Sequence, residues 1–142
     1  MLDPTAYTTE FVQNGGDAVE GTTLFINFTP FEEASSNKEM ALYLSWLDQV
    51  SPGAVPSFFG VFAWSAARLF VEQSLKLGGK LSRATLVDSL KKVDNWTAND
   101  LTAPQHVGSK ATGDCWRFIQ LSGGSWKPVG GTKYTCAGTT PG

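Results

Sequence analysis

Residues 57–79 constrain this chain more than any other stretch. Between Phe58 and Val71 only Ser65 and Arg68 interrupt an apolar run. A helix lying on a protein surface needs one apolar stripe, so a helix apolar on almost every side has to be covered on most faces. The run is shorter than the roughly 20 apolar residues that span a bilayer, and Arg68 sits inside it. It predicts a central helix of an α/β protein, ending at Gly78 and Gly79. Its aromatic start, Phe58, Phe59, Phe62 and Trp64, exceeds what a small core needs, so a further surface is expected to cover those rings.

A chain of 142 residues predicts one domain. Only 17% of the residues are charged, which suits a surface that is largely covered. Met1, Leu2, Asp3 and Pro4 read as the end of a strand with no element before it, and no basic and apolar leader marks a signal peptide. Together these features predict the C-terminal part of a larger protein. The alternative is a complete small domain with a loose first segment.

The net charge is −2, and no Lys/Arg cluster exists beyond Lys91 and Lys92. That argues against nucleic acid as a partner and against a polybasic membrane patch. His106 is the single histidine and lies in a loop beside Gln105 and Val107, where a solvated or locally bonded role is expected. Ser-His-Asp, Cys-His and two-histidine metal sites are therefore unsupported, and no phosphate-binding glycine spacing occurs. No catalytic residue, metal or cofactor is expected. Glu32 and Glu33 read as a solvated turn ahead of a helix N-terminus. Asn27 and Asn95 head glycosylation sequons, a weak signal.

The rest of the chain has legible punctuation. Asn14 to Asp17 is a turn, and residues 22–28 read as a buried strand ended by Pro30. Ser36 and Glu39 match a capping box for a helix over about 38–49, with Met40, Tyr43, Leu44 and Leu47 on one face. Ser82 is an N-cap for a helix over about 83–93, with a Leu81–Leu86 staple and a buried stripe of Leu86, Val87, Leu90 and Val93. Residues 97–114 are extended. A hairpin follows, with a β-rich run from Cys115 to Leu121, a turn over Ser122 to Ser125 and a return strand from Trp126 toward Cys136. The fold-back favours a Cys115–Cys136 disulfide closing a loop of about 20 residues and contributing about 3 kcal/mol. A disulfide implies an oxidising compartment; two free buried thiols are the alternative. Residues 137–142 read as a flexible tail.

These elements carry a resemblance. Asp17 to Gly21 followed by a strand, then Pro30, Phe31 and Glu32, then a capped helix and the run Gly60 to Phe70, is similar to the second half of type I periplasmic binding proteins. The Leu81-Ser82-Arg83 helix start and the Trp116-to-Trp126 hairpin fit the same order. Specifically, the chain resembles the branched-chain amino acid-binding group of ABC transporter solute receptors, over nearly all of its length. The resemblance implies part of a two-lobed α/β fold with ligand held between lobes. Residues 1–28 would be the end of one lobe and a crossover strand, 29–96 the helical part of the other lobe, and 97–136 the return crossover and hairpin. It implies an aromatic ligand contact at Trp64, with Phe62 and Phe59 close by in sequence. Asp3 lies where some relatives pair an acid with the ligand ammonium. Trp64 in place of a more usual Tyr removes a hydroxyl donor, and a helix-to-sheet core role is the competing reading of that ring.

Two function classes follow. One is an extracytoplasmic solute receptor, periplasmic or at the cell surface, that binds an amino acid or similar polar or aromatic molecule and presents it to a membrane permease. A lipid anchor and self-association of this part stay open. The other is a small disulfide-stapled interaction domain that binds a protein or glycan through exposed aromatics. An enzyme ranks third, for want of nucleophile and base.

Overall fold

The structure is a computed structural model that describes residues 1–111 and 113–137. An antiparallel sheet carries the architecture. Strand β2 (Cys115–Ser122) lies between β1 (Thr23–Ile26) and β3 (Ser125–Val129), and the two-residue β4 (Thr135–Cys136) pairs with its start. Leu24 faces Ile119, Ile26 faces Arg117 and Leu121 faces Trp126. Period-2 alternation puts these residues on one face. That face meets Phe28, Met40, Tyr43 and Val61 to form the core. Leu24, Ile26 and Phe28 are fully buried, each worth roughly 1.5–3 kcal/mol of burial. Phe25, Phe118 and Val129 form a row on the opposite face of the sheet, where Phe25 and Val129 are exposed.

The hairpin turn has positive φ at Gly123 (62°) and Gly124 (75°). Two consecutive residues in that region give the twist that joins right-handed strands. Pro128 is tolerated because β3 is an edge strand. The return strand is interrupted after Val129: the chain loops through Gly130 to Tyr134 before β4. Cys115 and Cys136 then stand directly opposite each other and form a disulfide, with Cα atoms 3.9 Å apart.

Helix α1 (Thr9–Gly15) is short, α2 spans Lys38–Val50, α3 spans Phe58–Leu77 and α4 spans Arg83–Leu90. No helix among the described residues is long and apolar enough to cross a membrane. The α3 bounds agree with the sequence reading, and the helix stops at Gly78 with φ 51°. Its burial differs. Val61, Ser65, Leu69 and Gln73, each four apart, form the buried face. The two polar members are bonded there: Trp96 Nε1 donates to Ser65 Oγ (2.9 Å) and Ser89 Oγ donates to Gln73 Oε1 (2.7 Å). On the other side Phe59 is 69% exposed and Leu75 76%, with Phe70 and Val71 also exposed. Within the described residues one face of the apolar helix is covered, not most of it.

Three expectations are corrected. The α2 cap is Asn37, whose side chain accepts from Met40 N–H, so no Ser36–Glu39 box forms. Glu39 instead points inward to Trp64 and Asn99. Helix α4 ends at Leu90 rather than near 93, because the Val93 carbonyl accepts from Gly108 N–H (2.7 Å) and is held by the 105–108 segment. Its cap at Ser82 is as read, with Thr85 closing a capping box, but the expected buried stripe does not form: Leu86, Leu90 and Val93 are half-buried and Val87 is exposed. Glu32 is exposed as read, but Glu33 is half-buried and paired. Glu33 binds the buried Arg117 (2.9 Å), and Glu32 accepts from the Tyr7 hydroxyl. Of the expected tail at 137–142, all but Ala137 lies outside the described residues.

Candidate functional site

The segment Tyr7–Thr9 forms the spine of a cleft. Asp3 caps a 3-10 turn at Pro4–Ala6, and Thr8 caps α1 by accepting from Phe11 N–H. These two caps fix the segment between them. One cavity of about 270 Å³ opens on its side toward the hairpin, lined by Val12, Phe31, Glu32, Pro56, Gly124 and Trp126 as well as the spine. A second, of about 230 Å³, opens toward the start of α3 and adds Thr5, Val55, Ser57, Phe58 and Phe59. The two share Tyr7, Thr8, Thr9 and Pro56, so they adjoin.

Tyr7 organises the wall on the hairpin side. It is buried, and its ring lies 5.1 Å from Phe31 and 5.9 Å from Trp126 by centroid. Its hydroxyl accepts from Phe31 N–H (2.8 Å) and donates to Glu32 Oε2. Burial, then the Glu32 carboxylate, push the Tyr7 phenol far above its ordinary value, so it stays protonated and keeps donating. Three aromatic rings, one oriented carboxylate, and Thr8, Thr9 and Gln13 give the cleft apolar walls with a few placed polar groups, the kind of lining that small-molecule pockets have.

The four residues expected at the ligand do not converge. Phe59 lines the second cavity. Asp3 is exposed and engaged with the hydroxyl and N–H of Thr5, which hold its carboxyl below the usual range. Phe62 packs edge-on to Phe28 at 6.2 Å. Trp64 sits in the α2–α3 contact, T-shaped on Tyr43 (5.8 Å), with Nε1 donating to the buried Glu39 (2.7 Å). Gly60 permits that contact: a Cβ there would lie 2.2 Å from Tyr43 Oη. Tyr7, Phe31, Glu32, Pro56 and Trp126 were not picked out for the cleft by sequence. Tyr7 falls in a stretch without clear periodicity, and long-range folding alone brings Trp126 to it.

His106 is locally bonded. Its Nδ1 is 2.6 Å from Asp94 Oδ1, and Nε2 is 3.8 Å from Asp114 Oδ1. The hydrogen bond to Asp94 raises the His106 pKa above 6.5, with both carboxylates adding charge attraction. The folded state therefore favours histidinium. The stabilising contribution is present in full below about pH 6.5 and fades as pH rises through the folded value. An NMR titration should place His106 above 6.5, and Asp94→Asn should bring it back toward that value.

No protein-family model matches this chain, and no curated protein sequence does. Its fold does match. The α/β arrangement is that of a type I periplasmic binding protein, over part of that fold. A structure assigned as a branched-chain amino acid ABC transporter from Rhodospirillum rubrum aligns with TM-score 0.63 at 18% identity, covering 89% of this chain and 36% of that one. An extracellular ligand-binding receptor from Rhodopseudomonas palustris HaA2 aligns with TM-score 0.67 at 21% identity, covering 89% of this chain and 39% of that one. The chain thus spans well under half of either structure.

Proposed function

We propose that this chain is part of an extracytoplasmic solute-binding protein of an ABC transporter. It takes up an amino acid or similar small polar or aromatic molecule and hands it to a membrane permease. The observation that carries the proposal is the Tyr7–Thr9 cleft, aromatic-walled and sparingly polar, in a fold shared with ligand-binding receptors. The role is binding rather than catalysis. The Cys115–Cys136 disulfide suits an oxidising compartment.

In this reading Phe59 touches the ligand directly. Asp3 acts from behind by fixing Thr5, and Phe62 by holding the α3 start against Phe28. The exposed stripe of Phe59, Phe70, Val71 and Leu75, and the open sheet face, meet the remainder of a two-lobed receptor. Residues 1–28, 29–96 and 97–136 divide between its lobes as the family pattern implies.

A thermal-shift screen of the purified protein against amino acids, amides and aromatic acids tests the reading. A ligand at 100 times its Kd adds about 2.7 kcal/mol of stability by mass action. Phe59→Ala and Thr9→Val should weaken the best hit. A screen without hits, or hits indifferent to both substitutions, would overturn the cleft as the solute site.

A further inference from the structure

We infer that the cavity on the hairpin side selects a compact organic cation, an ammonium carrying apolar substituents, seated against the aromatic wall of Tyr7, Phe31 and Trp126 and beside the Glu32 carboxylate. This rests on the solute-binding reading of the same cleft and names its ligand class.

Charge in the lining has one sign. The described residues around the two cavities include Glu10 and Glu32 but no lysine or arginine. Glu32 spends Oε2 on the Tyr7 hydroxyl, which fixes the carboxylate and leaves Oε1 for a ligand. Arg117, which binds the neighbouring Glu33, is committed to that carboxylate and to the Thr132 carbonyl. An anionic ligand would meet Glu32 unopposed.

The walls point the same way. Aromatic faces are negative at their centres and attract cations, most of all alkylated ammonium groups that shed water cheaply. Tyr7 packs directly on Phe31 and Trp126, whose centroids lie 5.1 and 5.9 Å away, and the three rings together wall the cavity. Tyr7 stays a phenol, so it adds an electron-rich ring without adding charge. A volume of about 270 Å³ admits a group the size of a trimethylammonium together with a short chain.

Choline and its uncharged carbon isostere 3,3-dimethylbutan-1-ol are the probes, read by calorimetric titration and by amide shifts in the NMR spectrum. Choline should bind at least tenfold more tightly than the alcohol, with shifts at Tyr7, Thr8, Gly124 and Trp126. Glu32→Gln keeps an acceptor for the Tyr7 hydroxyl and removes the charge. It should lower choline affinity at least tenfold and leave the alcohol unchanged. Equal binding of the two probes, or choline binding that survives Glu32→Gln, overturns the cation assignment. If neutral or anionic solutes from the wider screen bind at these amides and choline does not, the cation class fails while the solute-binding reading stands. If no solute shifts these amides, both fail. Circular dichroism of Glu32→Gln separates loss of binding from loss of fold, and Thr9→Val serves as a second variant away from the Tyr7 bond.

Discussion

Trp64→Ala is expected to destabilise the protein by about 3–5 kcal/mol, the range for truncating a large packed aromatic. Two losses combine. The indole leaves a void at the α2–α3 contact, where it packs edge-on to Tyr43. Glu39, 5% exposed, also loses a donor at 2.7 Å. Asn99 Nδ2 (2.8 Å) remains on the other oxygen, and Arg68 Nε stands 3.6 Å away. A buried acceptor stripped of a partner costs about 1–3 kcal/mol. Trp64→Phe keeps most of the ring and should cost only that part. Urea unfolding of the two variants separates packing from hydrogen bonding. Calorimetric titration of the same proteins with the best solute then decides the role of the ring. Stability lost with affinity kept assigns Trp64 to the core. Affinity lost with stability kept assigns it to the ligand.

What the sequence disclosed follows from the range of the interactions involved. Helix α3, the Ser82 cap and the hairpin were legible because each depends on neighbours within a few turns or across a two-residue turn, and the cysteine pair because the same fold-back returns the chain to the start of β2. The likeness to a type I periplasmic binding protein came from the order of such local signals, and the shared fold agrees. The α2 start was misread because Ser36 and Asn37 are adjacent, equally good caps. Asn37 wins because its amide also donates to the Asp100 carbonyl from 63 residues away. The same logic hid the cleft. Its wall joins residue 7 to residues 31, 32 and 126, and no local pattern ties a tyrosine in an irregular segment to a tryptophan in a distant hairpin. Glu33 looked solvated for want of a visible partner; the partner is 84 residues away.

That partner sets the second large effect. Arg117 occupies the core face of β2, opposite Ile26, with its side chain 3% exposed. Its guanidinium donates to Glu33 Oε2 and to the Thr132 carbonyl, both at 2.9 Å, and lies over the Tyr134 ring at 5.3 Å. It therefore ties the central strand to the turn after Pro30 and to the loop before β4. Arg117→Met should cost about 3–5 kcal/mol, because it leaves the Glu33 carboxylate, 18% exposed, without its counter-charge. The pair is not itself a large net stabiliser. Arg117 Nε and Glu33 Oε1 are buried without hydrogen-bond partners, so part of the Coulomb gain is spent on desolvation. Replacing both residues with Met should therefore recover much of the loss, with a coupling of about 0.5–3 kcal/mol in a double-mutant cycle. Added salt should change that coupling little, since a buried pair is weakly screened. The cycle is measured by urea unfolding of the four proteins. A cost below about 1 kcal/mol for Arg117→Met would place the pair among exposed ion pairs, whose worth falls in that range. The anchoring of the 31–33 turn, and with it the orientation of Glu32 in the cleft, would then have to come from Tyr7 alone.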